Sequence, residues 1–298
     1  MADKWTAANV PRMDGRTVVV TGANSGIGLA AVRELARVGA HVVLAVRDPE
    51  RGERAAGAVP GDSEVRQLDL ANLSSVRAFA EAWSGPLDVL VNNAGVMAVP
   101  QGRTADGFEL QLGTNHLGHF ALTGLLLPSI TDRVVTVSSG AHRMGRIDLD
   151  DLNWDRRRYR RWPAYGQSKL ANLLFTMELE RRLTEAGSPV KALAAHPGWA
   201  ATNLQGRSGV RVLDAAMRVA NRFFAQTDAM GALPTLYAAV EDLPGGSYVG
   251  PDGRAEQRGH PTLVGRSAAA QDAEVARRLW ERSEELTGVH FPLTPSTP

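Results

Sequence analysis

A phenol and an ammonium stand four residues apart in Ala164-Tyr-Gly-Gln-Ser-Lys-Leu-Ala-Asn172, at the head of an apolar run with helical period. Positions i and i+4 share one face of a helix. There the Lys169 cation favours the Tyr165 phenolate and draws the phenol below its reference pKa of about 10. A tyrosine tuned in this way exchanges a proton with an alcohol or carbonyl oxygen near neutral pH. Many surface pairs share this spacing, so the chemistry depends on what the rest of the chain brings to it.

A glycine loop near the N-terminus is the first support. Thr17-Val-Val-Val-Thr21 is a β-branched run of the kind that forms a buried strand. It leads into Gly22-Ala-Asn-Ser-Gly26-Ile-Gly28, then a helical pattern (Leu29, Val32, Leu35, Ala36) that Gly39 closes, then a second strand from His41 to Val46. This is the first unit of a nucleotide-binding βαβ fold. The loop, with Gly22, Asn24, Ser25, Gly26, Ile27 and Gly28, permits close backbone approach, and the helix N-terminus receives a pyrophosphate. Arg47 follows the second strand, and a guanidinium suits the 2′-phosphate of NADP. Asp48 stands next to it, and a carboxylate there would instead serve the ribose of NAD.

Further strands are expected at 64–68, 87–91, 133–137 and 190–195, with helices at 72–83 and 108–130 and a tail helix at 270–286 that Asp272 caps. Asp69 and Leu70 end the third strand. Asn92, Ala94 and Gly95 follow the fourth, where small residues and amides let a backbone lie close to adenine or ribose. Ser138 and Ser139 end the fifth, and His196-Pro197-Gly198 ends the sixth. Ligands bind at these carboxyl ends in open α/β sheets. The pattern predicts a single α/β, doubly wound Rossmann-type domain over residues 15–290, with a parallel sheet and helices on both faces. Residues 1–14 read as a polar leader and 291–298 as a disordered tail. Pro234 is expected to kink or restart a helix.

Composition removes several alternatives. The 298 residues carry 33 basic and 32 acidic groups, a net charge of +1, which offers no field for nucleic acid. There is no cysteine, so disulfides, thiolate metal sites and a cysteine nucleophile are excluded. His116 and His119 lack a third ligand nearby in sequence, so no metal is expected. His142 follows Ser139, but no G-x-S-x-G elbow surrounds that serine. The N-terminus has no secretory h-region, and no apolar run approaches the roughly eighteen residues of a membrane span. A cytoplasmic protein with no membrane anchor is expected.

The glycine loop, Asn92 to Gly95, Asn115, Ser139, Tyr165/Lys169 and Pro197-Gly198 to Thr202 stand in the order found in the short-chain dehydrogenases/reductases (SDR), which the chain resembles from Thr21 to about Thr287. Asn115-His-Leu-Gly-His-Phe120, Val137-Ser-Ser-Gly-Ala-His142 and Ser168-Lys-Leu-Ala-Asn-Leu-Leu-Phe175 resemble the retinol-dehydrogenase-like branch, itself similar to protochlorophyllide reductases, and its soluble bacterial-type members most. The resemblance implies hydride transfer between NADP (or NAD) and an apolar alcohol, aldehyde or ketone. It implies Tyr165 as acid/base, Lys169 tuning it and bonding the nicotinamide ribose, Ser139 on the substrate oxygen and Asn115 holding a water behind the lysine. Pro197, Gly198 and Thr202 would close over the carboxamide. A homodimer through the Tyr165–Lys169 helix is a family habit. The alternative is a silent NAD(P)-binding sensor. A sugar-nucleotide epimerase would need a longer C-terminal domain.

Two regions are expected to choose the substrate. Residues 145–162 are an insertion between serine and tyrosine, read as a charged surface loop with aromatic anchors, or with Trp154, Tyr159 or Trp162 bordering the substrate mouth. Residues 199–240 are the variable region, with Val210, Leu213, Met217, Ala220 and Phe224 at helical spacing and Phe223 beside them.

Overall fold

Val18, Val19 and Val20 are completely buried, which is why β1 (Thr17–Thr21) forms the middle of the sheet and not an edge. In the computed structural model, which describes residues 4–198 and 227–293, β1 pairs on one side with β2 (His41–Val46) and on the other with β4 (Leu87–Asn92), both parallel. With β3 (Ser63–Gln67), β5 (Ile130–Val137), β6 (Lys191–Ala195), β7 (Tyr248–Pro251) and β8 (Pro261–Leu263) the sheet has the order β3-β2-β1-β4-β5-β6-β7-β8. Pairing is parallel from β3 through β7, and β8 returns antiparallel. The strand order reverses beside β1, which opens a crevice at the carboxyl ends of β1 and β4.

Helices cover both faces, as expected. On one face α1 (Gly26–Arg37) buries Ile27, Ala31, Val32 and Leu35 in a core shared with Leu233 and Leu236. These last two belong to α7 (Asp228–Val240), which holds Pro234 in its interior, so the helix does not restart there. That turn packs against α1 and the sheet. On the same side α2 (Pro49–Ala56) begins with Asp48 as N-cap and Pro49 in its first turn.

The opposite face holds α3 (Leu73–Glu81), α5 (Gly118–Leu126) and α6 (Arg161–Glu185), overlain by α8 (Ala273–Thr287). The expected helix over 108–130 runs without a break through a short α4 (Leu110–Leu112), a π-helical turn (Gly113–Leu117) and α5. Two glycines bound the π turn. A Cβ on Gly113 would stand 2.4 Å from Thr104 Cγ2, and one on Gly118 2.4 Å from the Leu70 carbonyl.

Both chain ends are more involved than expected. Val10 and Met13 are buried, and Trp5 donates to Glu241 at 2.7 Å, so the leader packs on the core. Phe291 is buried among Trp280, Phe120 and Phe175, with 4.3 Å between the Phe291 and Trp280 ring centres. The expected tail therefore starts later than 291, because an aromatic side chain there has a pocket to fill. Among the described residues no helix is long and apolar enough to cross a membrane.

Candidate active site

The crevice holds a cleft of about 970 Å³, running from Arg47 and Asp48 along the glycine loop to Tyr165 and Lys169. Its first wall is made by Gly22 and Gly28. Gly22 has φ +66°, and a Cβ there would stand 2.9 Å from Ala94 Cα. A Cβ on Gly28 would lie 2.6 Å from Asn93 Nδ2. These positions admit only glycine. Ser25 caps α1 without a side-chain bond, so the first-turn N–H groups, beside Asn24, Ser25, Gly26 and Ile27 in the cleft lining, are left for an anion. Backbone, cavity and helix terminus together fit a dinucleotide.

Behind this wall Thr21 ties three segments together. Its Oγ accepts the backbone N–H of Asn93 and of Ala94, each at 2.9 Å, and stands 2.9 Å from His119 Nε2. With both lone pairs taken, the hydroxyl donates to Nε2. His119 is then the Nδ1–H tautomer and donates to the Asn115 carbonyl at 3.0 Å. Burial holds this imidazole neutral, its pKa lowered to about 4.

At the far end Tyr165, on the first turns of α6, is 7% exposed and shares the cleft wall with Ser139. Burial raises the phenol to about 12, with the Ser139 hydroxyl opposing. The expected lowering by Lys169 is not what this geometry gives. Lys169 Nζ donates to the Val137 carbonyl at 2.9 Å and lies 5.9 Å from the Tyr165 ring centre. Burial lowers its own pKa to about 8. Both groups are desolvated, and desolvation outweighs their mutual field.

Asn115 sits in the π turn, wholly buried. Its Oδ1 accepts Val96 N–H at 2.8 Å, and its Nδ2 donates to the Val96 carbonyl and to Ser168 Oγ, both at 2.9 Å. Ser138 also lines the cleft, but its hydroxyl is engaged, donating to the Lys169 carbonyl at 2.8 Å. Ser139 faces inward, its Oγ accepting Ala141 N–H at 3.2 Å, and His142 holds the Ser139 carbonyl at 2.7 Å.

Arg47, Asp69, Leu70, Ala94, Gly95, Ser139, Tyr165, Lys169, Pro197 and Gly198 also line the cleft, as expected. Asn115 stands behind it. Asn92 does not reach it: its Nδ2 donates to Thr123 on α5 at 2.9 Å. Strand alternation turns the side chain of Asn92 into the core and that of the next residue out, so Asn93 takes the cleft position, its Nδ2 on the Thr21 carbonyl at 2.8 Å. Thr202 and the apolar set from Val210 to Phe224 lie outside the described residues. Within the 145–162 insertion, Trp162 lines the cleft. Trp154 is buried inside the loop, under the Arg157 guanidinium at 3.8 Å.

Sequence reasoning missed residues 255–257. This loop after β7 lines the cleft, with Ala255 and Glu256 in left-handed conformations (φ 53° and 56°). Glu256 reaches His196 Nε2 at 3.1 Å and Arg143 at 3.3 Å. No motif marks it; only β7 pairing beside β6 brings it there. Among the described residues no cluster could hold a metal ion.

A dinucleotide cradle that runs into a buried phenol and ammonium is the layout of an oxidoreductase using a nicotinamide nucleotide. Residues 16–210 match the short chain dehydrogenase family. The chain is 43% identical over 302 residues to retinol dehydrogenase 13 of Homo sapiens, covering 95% of this chain and 88% of that protein. A solved uncharacterised protein from Mycobacterium paratuberculosis is 59% identical with a TM-score of 0.86, covering 98% of this chain and all of that one. A Beutenbergia cavernae protein assigned as an NAD(P)-dependent gluconate 5-dehydrogenase, solved with NADP at low occupancy, is 29% identical with a TM-score of 0.57, covering 77% and 91%. The chain belongs to the short-chain dehydrogenases, in their retinol-dehydrogenase-like branch.

Proposed function

We propose that the protein is an NADP-dependent oxidoreductase that interconverts an apolar alcohol with its aldehyde or ketone, with Tyr165 as the acid/base. The observation that carries this reading is that Ser139, Tyr165 and Lys169 line one end of the cleft that the glycine loop lines at the other. The bound nicotinamide would supply or accept the hydride. Ser139 holds the substrate oxygen, and Tyr165 gives that oxygen its proton in reduction. A phenol held protonated at neutral pH is competent for that direction. Lys169 returns a proton to the phenolate. Asn115 acts on Lys169 through a water beside Gly95, where an added Cβ would stand 3.1 Å from Asn115 Oδ1 and 3.6 Å from Lys169 Nζ.

NADP is favoured over NAD by the division of work at the end of β2. Asp48 is engaged as the N-cap of α2, accepting Arg51 N–H at 3.1 Å. Arg47 is exposed at the cleft and makes no ion pair with a described residue, so it is available to a 2′-phosphate. The apolar substrate follows from Met97, Val99, Leu110 and Trp162 in the lining and from the retinol dehydrogenase relative. A cytoplasmic location agrees with the cysteine-free composition. The outer face of α6 is covered by α8, through the Phe175–Trp280 stack among others, so two copies would pair by another surface.

The test is NADPH oxidation with a panel of apolar aldehydes and ketones. Tyr165→Phe is expected to lose at least about a thousand-fold in kcat while NADPH affinity holds. Wild-type turnover by that variant would sink the mechanism. Tight NADPH binding with no turnover on any carbonyl would turn the reading to a silent binder.

A further inference from the structure

The 145–162 insertion folds on itself and then onto the cleft. The Asp151 carboxylate accepts the backbone N–H groups of Asp155, Arg156 and Arg157 at 2.7 to 3.2 Å. Arg157 donates to Gln167 Oε1 at 2.6 Å, and Gln167 returns a bond to the Leu152 carbonyl at 2.8 Å. Gln167 lies on α6 two residues beyond Tyr165, so the loop is clamped to the helix that carries the acid/base.

A second clamp reaches the opposite wall. The Tyr159 hydroxyl accepts from Gln111 Nε2 at 2.8 Å and stands 3.0 Å from Glu109 Oε1 and 3.2 Å from the Val99 carbonyl. Glu109 is 1% exposed, and its two oxygens cap Gln111 N–H and Leu112 N–H at 2.9 and 2.7 Å. Gln111 also accepts Ala98 N–H at 2.7 Å and donates to the Arg161 carbonyl at 3.0 Å. One buried knot thus fixes the 98–99 segment, α4 and the start of α6. The next residue is Trp162, which meets the Tyr165 ring edge-on, with 6.1 Å between centres and 80° between planes.

We propose that Trp162, held by the Tyr159–Glu109–Gln111 knot, is a specificity-determining wall that takes the hydrocarbon part of the substrate and selects long apolar chains over short ones. This rests on the hydride-transfer reading for the reacting end. Trp162 shares the cleft lining with Met97, Val99 and Leu110, so the cleft that holds Tyr165 offers apolar side chains to a hydrocarbon chain. A carbonyl oxygen held by Ser139 and Tyr165 leaves its chain in that cleft. Chain length then enters the affinity through buried methylenes, each worth a few-fold in binding.

The test compares decanal with propanal as substrates, and 1-decanol with 1-propanol as calorimetric ligands of the full chain with NADP added. Wild type is expected to favour the ten-carbon compounds. Trp162→Ala should lower the decanal-to-propanal ratio of kcat/KM by about ten-fold, mostly through KM, with NADPH affinity unchanged. Trp162→Phe should restore most of it. Tyr159→Phe should act in the same sense with kcat for propanal nearly intact. An unchanged ratio in Trp162→Ala, an equal loss for both aldehydes, or a wild type that binds neither alcohol would overturn the proposal. Decanol binding that weakens in Trp162→Ala while no aldehyde is reduced would support the wall and reject the hydride-transfer reading.

Discussion

Lys169 and Asn172 donate to the same acceptor, the Val137 carbonyl, at 2.9 and 3.1 Å. One turn of α6 thus presents an ammonium and an amide to the end of β5, next to Ser138 and Ser139. The strand end is thereby pinned to the helix, and the lysine is buried at a cost in stability.

That cost can be measured. Burial lowers the Lys169 pKa from 10.5 to about 8. With the folded value depressed, the penalty is full below pH about 8 and fades as pH rises to the unfolded value. Its size is about 3 kcal/mol at 1.4 kcal/mol per unit, less the lost Val137 bond. Lys169→Met should therefore raise Tm at pH 7 by a few degrees while removing turnover. Scanning calorimetry at pH 7 and pH 10 checks it: the advantage should shrink at the higher pH, and a destabilised variant at pH 7 would refute the argument.

The two serines after β5 separate by role. Ser139 lines the cleft with Tyr165 and favours its phenolate, whereas the Ser138 hydroxyl donates to the Lys169 backbone. Ser139→Ala should cost about 100-fold or more in kcat, the scale for losing one donor to a developing oxyanion, with Tm nearly unchanged. Ser138→Ala should keep kcat within about ten-fold and lower Tm, since it removes a buried hydrogen bond between β5 and α6. Steady-state rates and melting curves of the pair decide between these assignments.

Much of this arrangement was legible in the chain. The bounds of β1 and β2 follow directly from runs of buried valine between glycines, and the tail helix from its Asp272 cap and Gly288, whose φ is +62°. Motif order brings together Tyr165, Lys169, Ser139 and the glycine loop. What escaped depends on distant partners. Tyr248-Val-Gly-Pro251 has too short a pattern to read as a strand, and only pairing with β6 makes it one. The π turn at Gly113–Leu117 needs Leu70 and Thr104 pressed against two glycines. The raised Tyr165 pKa comes from burial, which i,i+4 spacing does not register.

Arg47 gives the cofactor test. If it holds the 2′-phosphate, Arg47→Ala should lower the ratio of NADPH to NADH efficiency by about ten-fold or more, the value of one charge-assisted bond of 1.5–3 kcal/mol. Raising salt should weaken NADPH in the wild type more than in the variant. An unchanged ratio would move the phosphate contact elsewhere, with Arg51 next in line along the same cleft edge.

Four buried histidines set the response to acid. Burial is the first cause in each, lowering His142 and taking His116 to about 3 and His119 and His196 to about 4, against 6.5 unfolded. The unfolded chain takes up these protons first, so the stability present above pH 6.5 is lost as pH falls towards 4. At pH 5 His116, His119 and His196 each contribute a loss of about 2 kcal/mol. His116 does not line the cleft, and its Nε2 stands 3.0 Å from Ser283 Oγ among Phe120 and Phe175. His116→Gln should keep that hydrogen bond while removing the titration. Urea midpoints at pH 7.5 and pH 5 should then differ by less than in the wild type, by the midpoint equivalent of about 2 kcal/mol. Equal slopes in the two proteins would place the acid sensitivity in the carboxylates.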